Sequence, residues 1–189
     1  DALATLNRHG VKVILKSKYG IITLDQRPKS GFSDVITLHA IISSSDAPDF
    51  SCTEIAIYGV ADKKMEQAKD FFLRFSGEST LDSTRVGHIL QRTPNRPARI
   101  YVTGILVAEE ENFAFSYNIV SLTKKMRNAL NRERTNVGRS AYTDRVKDML
   151  LESHSAVVAR ILADELTRME RGSNCDEVKW NDVAVHACK

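Results

Sequence analysis

The sequence predicts an α+β protein, in which an antiparallel sheet with helices packed on one face is followed by a second, smaller α+β unit. Three observations predict this fold class. Short strand patterns follow one another through tight turns in residues 11–58, without the alternation of strands and long helices that a parallel sheet requires. A second pair of strand patterns lies between residues 99 and 120. From about residue 121 the apolar spacing becomes helical.

The first elements are a helix and three strands. Residues 1–9 have the pattern of a helix end, and Gly10 is placed as its C-terminal cap. Residues 11–17 alternate between apolar and polar side chains, and a tight turn leads into residues 21–25, so the two strands predict a hairpin. Residues 35–42 form a third strand pattern.

A fourth strand and an amphipathic helix complete the first unit. Side chains alternate from Thr53 to Tyr58, and Gly59 ends the pattern. Asp62 lies where a helix N-cap is expected, and apolar residues follow at near-helical spacing as far as Phe75. We therefore predict a strand, a turn and a helix that covers one face of the antiparallel sheet.

The segment 77–98 contains two glycines and two prolines and is predicted to be a connector. It divides the chain into a first unit, residues 1–76, and a second unit, residues 99–189. In the second unit, residues 99–107 form a strong strand pattern, and residues 113–120 are predicted to pair with it.

The remainder of the chain is predicted to be helical. Residues 124–131 and 142–171 have helical spacing, and a basic stretch at residues 132–140 separates them. Residues 176–187 predict one last short helix.

Composition and charge bound the function classes. The chain has 189 residues, of which 42% are hydrophobic and 27% charged, as in ordinary globular proteins. A net charge of +3 is too small to indicate nucleic-acid binding by itself. Cys52, Cys175 and Cys188 are widely spaced, so no disulfide framework is predicted and the expected location is the cytoplasm. No metal-ligand spacing occurs, so no metal site is predicted.

The first half of the chain resembles the closing part of the GHKL nucleotide-binding fold. In that superfamily, which includes gyrase-type topoisomerases, heat-shock chaperones, sensor histidine kinases and MutL, a helix after a glycine-rich lid leads into antiparallel strands and then a strand that opens with Gly-Thr. Residues 2–6 are similar to that helix, and Thr53 occupies the threonine position, with Cys52 where the motif usually has glycine. The resemblance implies that Thr53 helps to bind adenine, a role that a hydroxyl can fill because it both donates and accepts hydrogen bonds.

The second half resembles the transducer domain that follows this ATPase domain in several relatives. Residues 129–139, A-L-N-R-E-R-T-N-V-G-R, are similar to the chaperone-type L-N-x-x-R-E loop. In those relatives a basic residue of the transducer reaches the γ-phosphate of ATP, where it neutralises charge. The resemblance implies this role for a basic residue among Arg132, Arg134, Arg139 and Lys124 or Lys125, and we predict that one of the three arginines makes the contact in the closed state.

Three GHKL motifs are missing from the part of this sequence that resembles the ATPase domain. That part has no helix carrying E-x-x-x-N for Mg²⁺ and the attacking water, no D-x-G-x-G adenine loop and no glycine-rich lid. The chain also opens within a helical pattern and without Met, which predicts a segment of a longer protein. The resemblance therefore implies a parent that uses ATP and Mg²⁺ and supplies its N-terminal ATPase segment as a partner. The chain alone is expected to be inactive and to hold no cofactor.

A second reading of the sequence stays open. Thr53 is also an ordinary strand residue, and exposed basic stretches are common on protein surfaces. The alternative function is a non-enzymatic α+β module that contacts nucleic acid or a protein through the basic residues between 124 and 145. Homodimer formation is left open by either reading. No nucleophile–base pair or phosphate loop supports an unrelated metabolic enzyme.

Overall fold

The computed structural model describes residues 2–32, 34–44, 51–132, 137–169, 171–172 and 174–188, with the side chains of residues 131 and 132 outside the description. Its backbone confirms the predicted α+β class, with helices and two mainly antiparallel sheets. The chain divides into two compact units, Asp1–Glu66 (unit 1) and Gln67–Lys189 (unit 2). Within the described ranges, no helix is long and apolar enough to cross a membrane.

Unit 1 contains one four-stranded antiparallel sheet. Helix α1 spans Ala2–Arg8. Gly10 follows it, and its φ of +80° is the left-handed conformation expected of a residue that caps a helix C-terminus. In chain order, the strands are β1 (Lys12–Ser17), β2 (Gly20–Pro28), β3 (Ile36–Ser43) and β4 (Glu54–Tyr58). Their order in the sheet is β3-β2-β1-β4, so β3 and β4 are the two edges.

The pairing register separates an apolar face from a polar face in this sheet. Leu15 lies opposite both Ile22 and Ile55, and Ile22 lies opposite Ile42. Directly paired residues share a face and successive residues alternate. The apolar face is therefore formed by Val13, Leu15, Ile22, Leu24, Ile36, Leu38, Ala40, Ile42, Ile55 and Ile57, with Gln26 and Pro28 on the same side. The opposite face, the polar face, carries the charged side chains of the strands, Lys12, Lys16, Asp25, Arg27 and Glu54, together with His39 and the apolar Ile14, Ile21 and Ile41.

Helix α1 is joined to this sheet by hydrogen bonds. The Asn7 side chain donates to the carbonyl oxygen of Leu24 (3.2 Å), and the Gln26 side chain donates to that of Asn7 (2.5 Å). We predicted that the helix beginning at Asp62 would cover the sheet, but this helix, α2 (Asp62–Lys69), has no buried residue. It also ends before the predicted Phe75, and a short helix α3 (Leu73–Ser76) follows.

Unit 2 is built on a five-stranded sheet. Its strands are β5 (Thr80–Ser83), β6 (Gly87–Gln91), β7 (Ala98–Val102), β8 (Ile105–Glu110) and β9 (Phe115–Ile119). They are ordered β5-β6-β9-β7-β8. The last strand in sequence thus lies in the centre, antiparallel to β6 and parallel to β7.

Two expectations about this region need correction. The segment 77–98 is not an irregular connector, because it contains β5 and β6, and the division between the units lies at Glu66 instead. The predicted strand 99–107 is a hairpin of β7 and β8, since Thr103 (φ +48°) and Gly104 (φ +84°) reverse the chain. Both φ values are positive, as in the tight turns that favour hairpins.

The helices of unit 2 pack on one face of this sheet. They are α4 (Lys124–Arg132), α5 (Thr143–Glu152), α6 (Ala156–Met169) and α7 (Asn181–Ala187). Two 3₁₀ turns, Arg139–Ala141 and Glu177–Lys179, connect them. Ile100, Tyr117 and Ile119 from the sheet are fully buried in one core with Val146 and Met149 from α5.

Candidate functional site

Thr53 lies in unit 1, immediately before β4, and is exposed. Cys52 beside it is also exposed and carries a free thiol. The predicted adenine contact is therefore accessible to a ligand. Its strand β4 is held by pairing with β1 over Lys12–Lys16, which fixes the backbone that follows the threonine.

Lys124 and Lys125 are exposed in the first turn of α4. Thr123 begins this helix, because its hydroxyl accepts a hydrogen bond from the N–H of Met126 (3.1 Å). Met126 is buried and fixes the helix on the core, while Lys125 donates to the carbonyl oxygen of Ser140 (2.6 Å). Two lysines thus stand at the positive end of the helix dipole, an arrangement that a bound anion would stabilise.

Arg139 is held by residues distant in sequence. Its guanidinium donates to Asp176 (2.7 Å), lies 3.6 Å from a carboxylate oxygen of Glu110 and stacks 4.7 Å from the ring centroid of Phe113. Tyr142 donates a hydrogen bond to the same Glu110 carboxylate. Arg139 therefore ties the start of α5 to β8 and to the C-terminal segment, and an incoming phosphate would have to displace carboxylates to reach it.

The structure describes the other arginines of this region only in part. Arg132 is the last residue of α4, and its side chain lies outside the described residues, as does the whole of Arg134. Arg145, one of the basic residues between 124 and 145 in the alternative function, is paired with Asp148 (3.1 Å). Among the described side chains of this region, Lys124, Lys125 and Arg127 are exposed.

A buried carboxylate was missed by the sequence analysis. Glu177 is fully buried and accepts hydrogen bonds from the N–H of Ala114 (2.9 and 3.0 Å) and from the hydroxyl of Tyr117 (3.0 Å). The thiol of Cys175 also donates to it (3.2 Å). Burial raises the pKa of Glu177, and the N–H of Ala114 opposes that rise. Burial and the nearby Glu177 raise the pKa of the Cys175 thiol to about 12, so this cysteine is unreactive at neutral pH.

A second charged cluster lies on the opposite face of the unit 2 sheet. Arg99 is only 6% exposed and forms two hydrogen bonds to the carboxylate of Asp70 (2.8 and 3.0 Å). Its Nε lies 3.3 Å from Glu109. Beside the cluster is a cleft of about 510 Å³ lined by Gln67, Asp70, Phe71, Leu106, Val107, Ala108 and Glu109. The two carboxylates already neutralise Arg99, so the cleft has no free cation for a phosphate.

Within the described parts of the chain, no three His, Cys, Asp or Glu side chains converge as metal ligands would. The structure thus offers an accessible hydroxyl in unit 1 and accessible lysines in unit 2. Each lies in a separate compact unit. Asp176 binds Arg139, and Glu177 binds Tyr117 of β9.

Comparison with known proteins gives relatives without a stated activity. The family model described as the Mycoplasma pneumoniae MPN635 N-terminal domain matches residues 63–156, from α2 to the start of α6. A Mycoplasma pneumoniae protein named only as uncharacterized is 34% identical over 155 residues, which are 81% of this chain and 62% of that protein. A second uncharacterized protein of the same organism is 28% identical over 134 residues, which are 70% of this chain and 37% of that protein.

The chain therefore spans less than two thirds of the length of these two relatives. No solved structure matches it. The match to the MPN635 domain falls almost wholly within unit 2, so the similarity is centred on the five-stranded sheet and the helices that cover it.

Proposed function

We propose that this chain is the rear part of an ATP-dependent conformational-switch protein of the GHKL type. In this proposal unit 1 contributes Thr53 to the adenine site, and unit 2 acts as the transducer that senses the γ-phosphate. Lys124, Lys125, Arg132, Arg134 and Arg139 remain the candidates for that contact. The proposed location is the cytoplasm.

The observation that carries the proposal is that the apolar face of unit 1 is largely exposed on its two edge strands in the described residues. Ile36, Ile42 and Ile55 lie on this face and are 66%, 72% and 51% exposed. A sheet normally buries its apolar face against another layer of structure. Unit 1 therefore has the character of one layer of a larger sandwich, as expected of the closing part of a GHKL domain.

The order of elements supports the same proposal. A helix precedes an antiparallel run, and the strand after Thr53 pairs with β1, the strand that follows the helix. Thr53 is exposed at the start of that strand, so its hydroxyl is accessible to a purine edge. The exposed lysines at the start of α4 fit a phosphate group by charge. When bound, ATP with Mg²⁺ would supply the phosphate whose presence these cations report.

Arg139 differs from the other candidates in its contacts. It is the one whose described side chain is already engaged by carboxylates. Contact with phosphate would require its release from Asp176, so we expect the lysines to be more important for sensing than Arg139.

The test is nucleotide binding by the natural full-length protein. Calorimetric titration with ATP and Mg²⁺ should show binding, and Thr53→Val, which removes only the hydroxyl, should raise the dissociation constant about tenfold. Thr23→Val is the matched control, because Thr23 is a strand threonine of the same unit that the proposal gives no role. Absence of ATP binding by the full-length protein would overturn the proposal, as would equal effects of the two substitutions.

Turnover tests the sensing role. Lys124→Ala and Lys125→Ala should lower ATP turnover while the dissociation constant changes little, because the contact forms on closure. Arg160→Ala, which removes an exposed cation on α6, should leave both unchanged. Normal turnover in both lysine variants would assign the sensing role to other residues.

A further inference from the structure

We propose that unit 1 pairs with a second copy of this chain through the outer edge of β3, which would join two four-stranded sheets into one. The proposal concerns the edge of the sheet and does not depend on nucleotide binding. It rests on three properties of β3: its position and length, its lack of charge, and the fact that its pattern is complementary to itself.

Strand β3 is the longest edge strand in the described residues. Its eight residues, Ile36–Ser43, all pair with β2 on one side, from Ile36 opposite Pro28 to Ser43 opposite Ile21. Within the described ranges no strand pairs with its other side. Since backbone groups alternate in direction along a strand, half of those in β3 point towards this outer edge, where another strand can bind them.

The sequence of β3 lacks the features that normally protect an edge. The run I-T-L-H-A-I-I-S contains no Lys, Arg, Asp, Glu, Pro or Gly, and four of its residues are β-branched Ile or Thr. Edge strands are usually short or carry charges or proline that prevent pairing with another chain. The other edge of the same sheet, β4, follows this rule, since it has five residues and begins with Glu54.

The pattern of β3 is complementary to itself in an antiparallel arrangement. Ile36, Leu38, Ala40 and Ile42 lie on the apolar face, and the residues between them lie on the polar face. In an antiparallel pair, residues directly opposite each other share a face. A two-fold axis at Ala40 would place Leu38 opposite Ile42 of the second copy and Ala40 opposite its own counterpart, so apolar side chains would meet on one face from Leu38 to Ile42.

This self-match favours a second copy over a different protein as the partner. A strand that alternates apolar and polar side chains in the same phase would continue both faces of the sheet, and β3 itself meets this condition. Pairing would also join the two apolar faces into one surface and protect Ile42, which is 72% exposed in the single copy.

Sedimentation velocity under reducing conditions tests the proposal. The unmodified chain should show a concentration-dependent dimer. Ile42→Lys on the apolar face and Ile41→Lys on the polar face should each weaken the dimer at least tenfold, because both place charges along the pairing strands. Ile55→Lys is the control, since Ile55 lies on the same apolar face but on the opposite edge strand. Circular dichroism would verify that each variant is folded.

The outcomes separate edge pairing from other associations. Loss of the dimer in both β3 variants, with Ile55→Lys unaffected, supports the proposal. An equal loss with Ile55→Lys would indicate stacking of the apolar faces and would overturn it. A chain that stays monomeric up to about millimolar concentration, the level that corresponds to roughly −4 kcal/mol of association, would overturn it too.

Cross-linking provides an independent measurement of the register. In a background in which the exposed Cys52 and Cys188 are replaced by Ser, Ala40→Cys should form an intermolecular disulfide under mild oxidation. Opposed residues at an axis through Ala40 would have Cα atoms about 5 Å apart, within disulfide range. Thr37→Cys is the control, because its two copies would lie about 20 Å apart along the strands. Equal cross-linking of both variants would contradict the antiparallel junction.

Discussion

The two units differ in how they use their sheets. In unit 2, helices cover one face and produce a core in which Ile89, Ile100, Tyr117 and Ile119 are fully buried. In unit 1 the comparable apolar face has a single helix beside it, and Val13 is the one apolar side chain of its described residues that is fully buried. Unit 2 therefore has the properties of an independent fold, whereas unit 1 requires further structure to bury its apolar face.

Substitution of Glu177 should give the largest effect, because the closed core of unit 2 depends on hydrogen-bonded polar groups as well as on apolar packing. Glu177→Ala would leave the N–H of Ala114 and the hydroxyl of Tyr117 buried without an acceptor. We expect a loss of about 4 kcal/mol in the free energy of unfolding, measured by urea denaturation. Asp182→Ala, at an exposed position of α7, is the control and should cost little. A small effect at Glu177 would mean that the C-terminal segment does not stabilise the sheet.

Matched isoleucines compare the two units directly. Ile119→Ala in β9 should lower the free energy of unfolding by about 3 kcal/mol, since the residue is fully buried and leaves a cavity. Ile42→Ala in β3 should change it by less than about 0.5 kcal/mol at concentrations where the chain is monomeric, because the side chain is largely exposed. Similar losses at the two positions would show that unit 1 has a core of its own.

The Arg99 cluster gives a smaller, pH-dependent effect. Hydrogen bonding to Arg99 lowers the pKa of Asp70 below its ordinary value. The stabilisation from this carboxylate is therefore present above about pH 3.9, the unfolded value, and is lost as the pH falls through the folded-state pKa. Asp70→Asn should cost about 1 kcal/mol at pH 7, since Asp70 is half exposed and solvent screens the pair.

The measurement is thermal unfolding of the wild type and of this variant between pH 7 and pH 2. The difference between them should disappear at the acidic end. Asp164→Asn, at an exposed position on α6, serves as the control for loss of one negative charge. A difference that persists at pH 2 would show that Asp70 acts through packing rather than through its charge.

The smallest expected effect concerns nucleotide binding by this chain alone. Since it lacks the metal-binding and lid motifs, calorimetry with ATP and Mg²⁺ should detect no binding tighter than about 1 mM, or roughly −4 kcal/mol. A micromolar dissociation constant would show that this chain already holds a complete nucleotide site, which would contradict the proposal that unit 1 is one layer of a larger domain.

Alternating strands were predictable from the sequence, and tertiary pairing was not. The residues of β1 to β4 alternate clearly and are separated by turns, so each was identified within a few residues. Strands β5 and β6 were missed because T-L-D-S and G-H-I-L-Q are short, and glycines and prolines surround them. Thr103 concealed the hairpin turn, because a β-branched residue rarely adopts a positive φ.

The residues of the candidate site were likewise predictable only where local sequence pattern determines their position. The position of Thr53 next to the start of a strand and that of Lys124 at the start of a helix were predictable from local pattern. The engagement of Arg139 was not, because its partner Asp176 is 37 residues away in sequence and Glu110 lies at the end of β8, beyond the predicted strand 99–107. Long-range polar contacts of this kind leave no periodic signal in the chain.

The central position of β9 has a consequence for how unit 2 folds. The hairpins β5–β6 and β7–β8 consist of local contacts and can form early, but they become one sheet only when β9 inserts between them. The N–H of Ala114 and the hydroxyl of Tyr117 have no acceptor in this network until Glu177 emerges from the ribosome, about 60 residues later in the chain. During synthesis, therefore, all strands of this sheet are available before the carboxylate that satisfies their buried donors, and the segment that carries Glu177 completes unit 2.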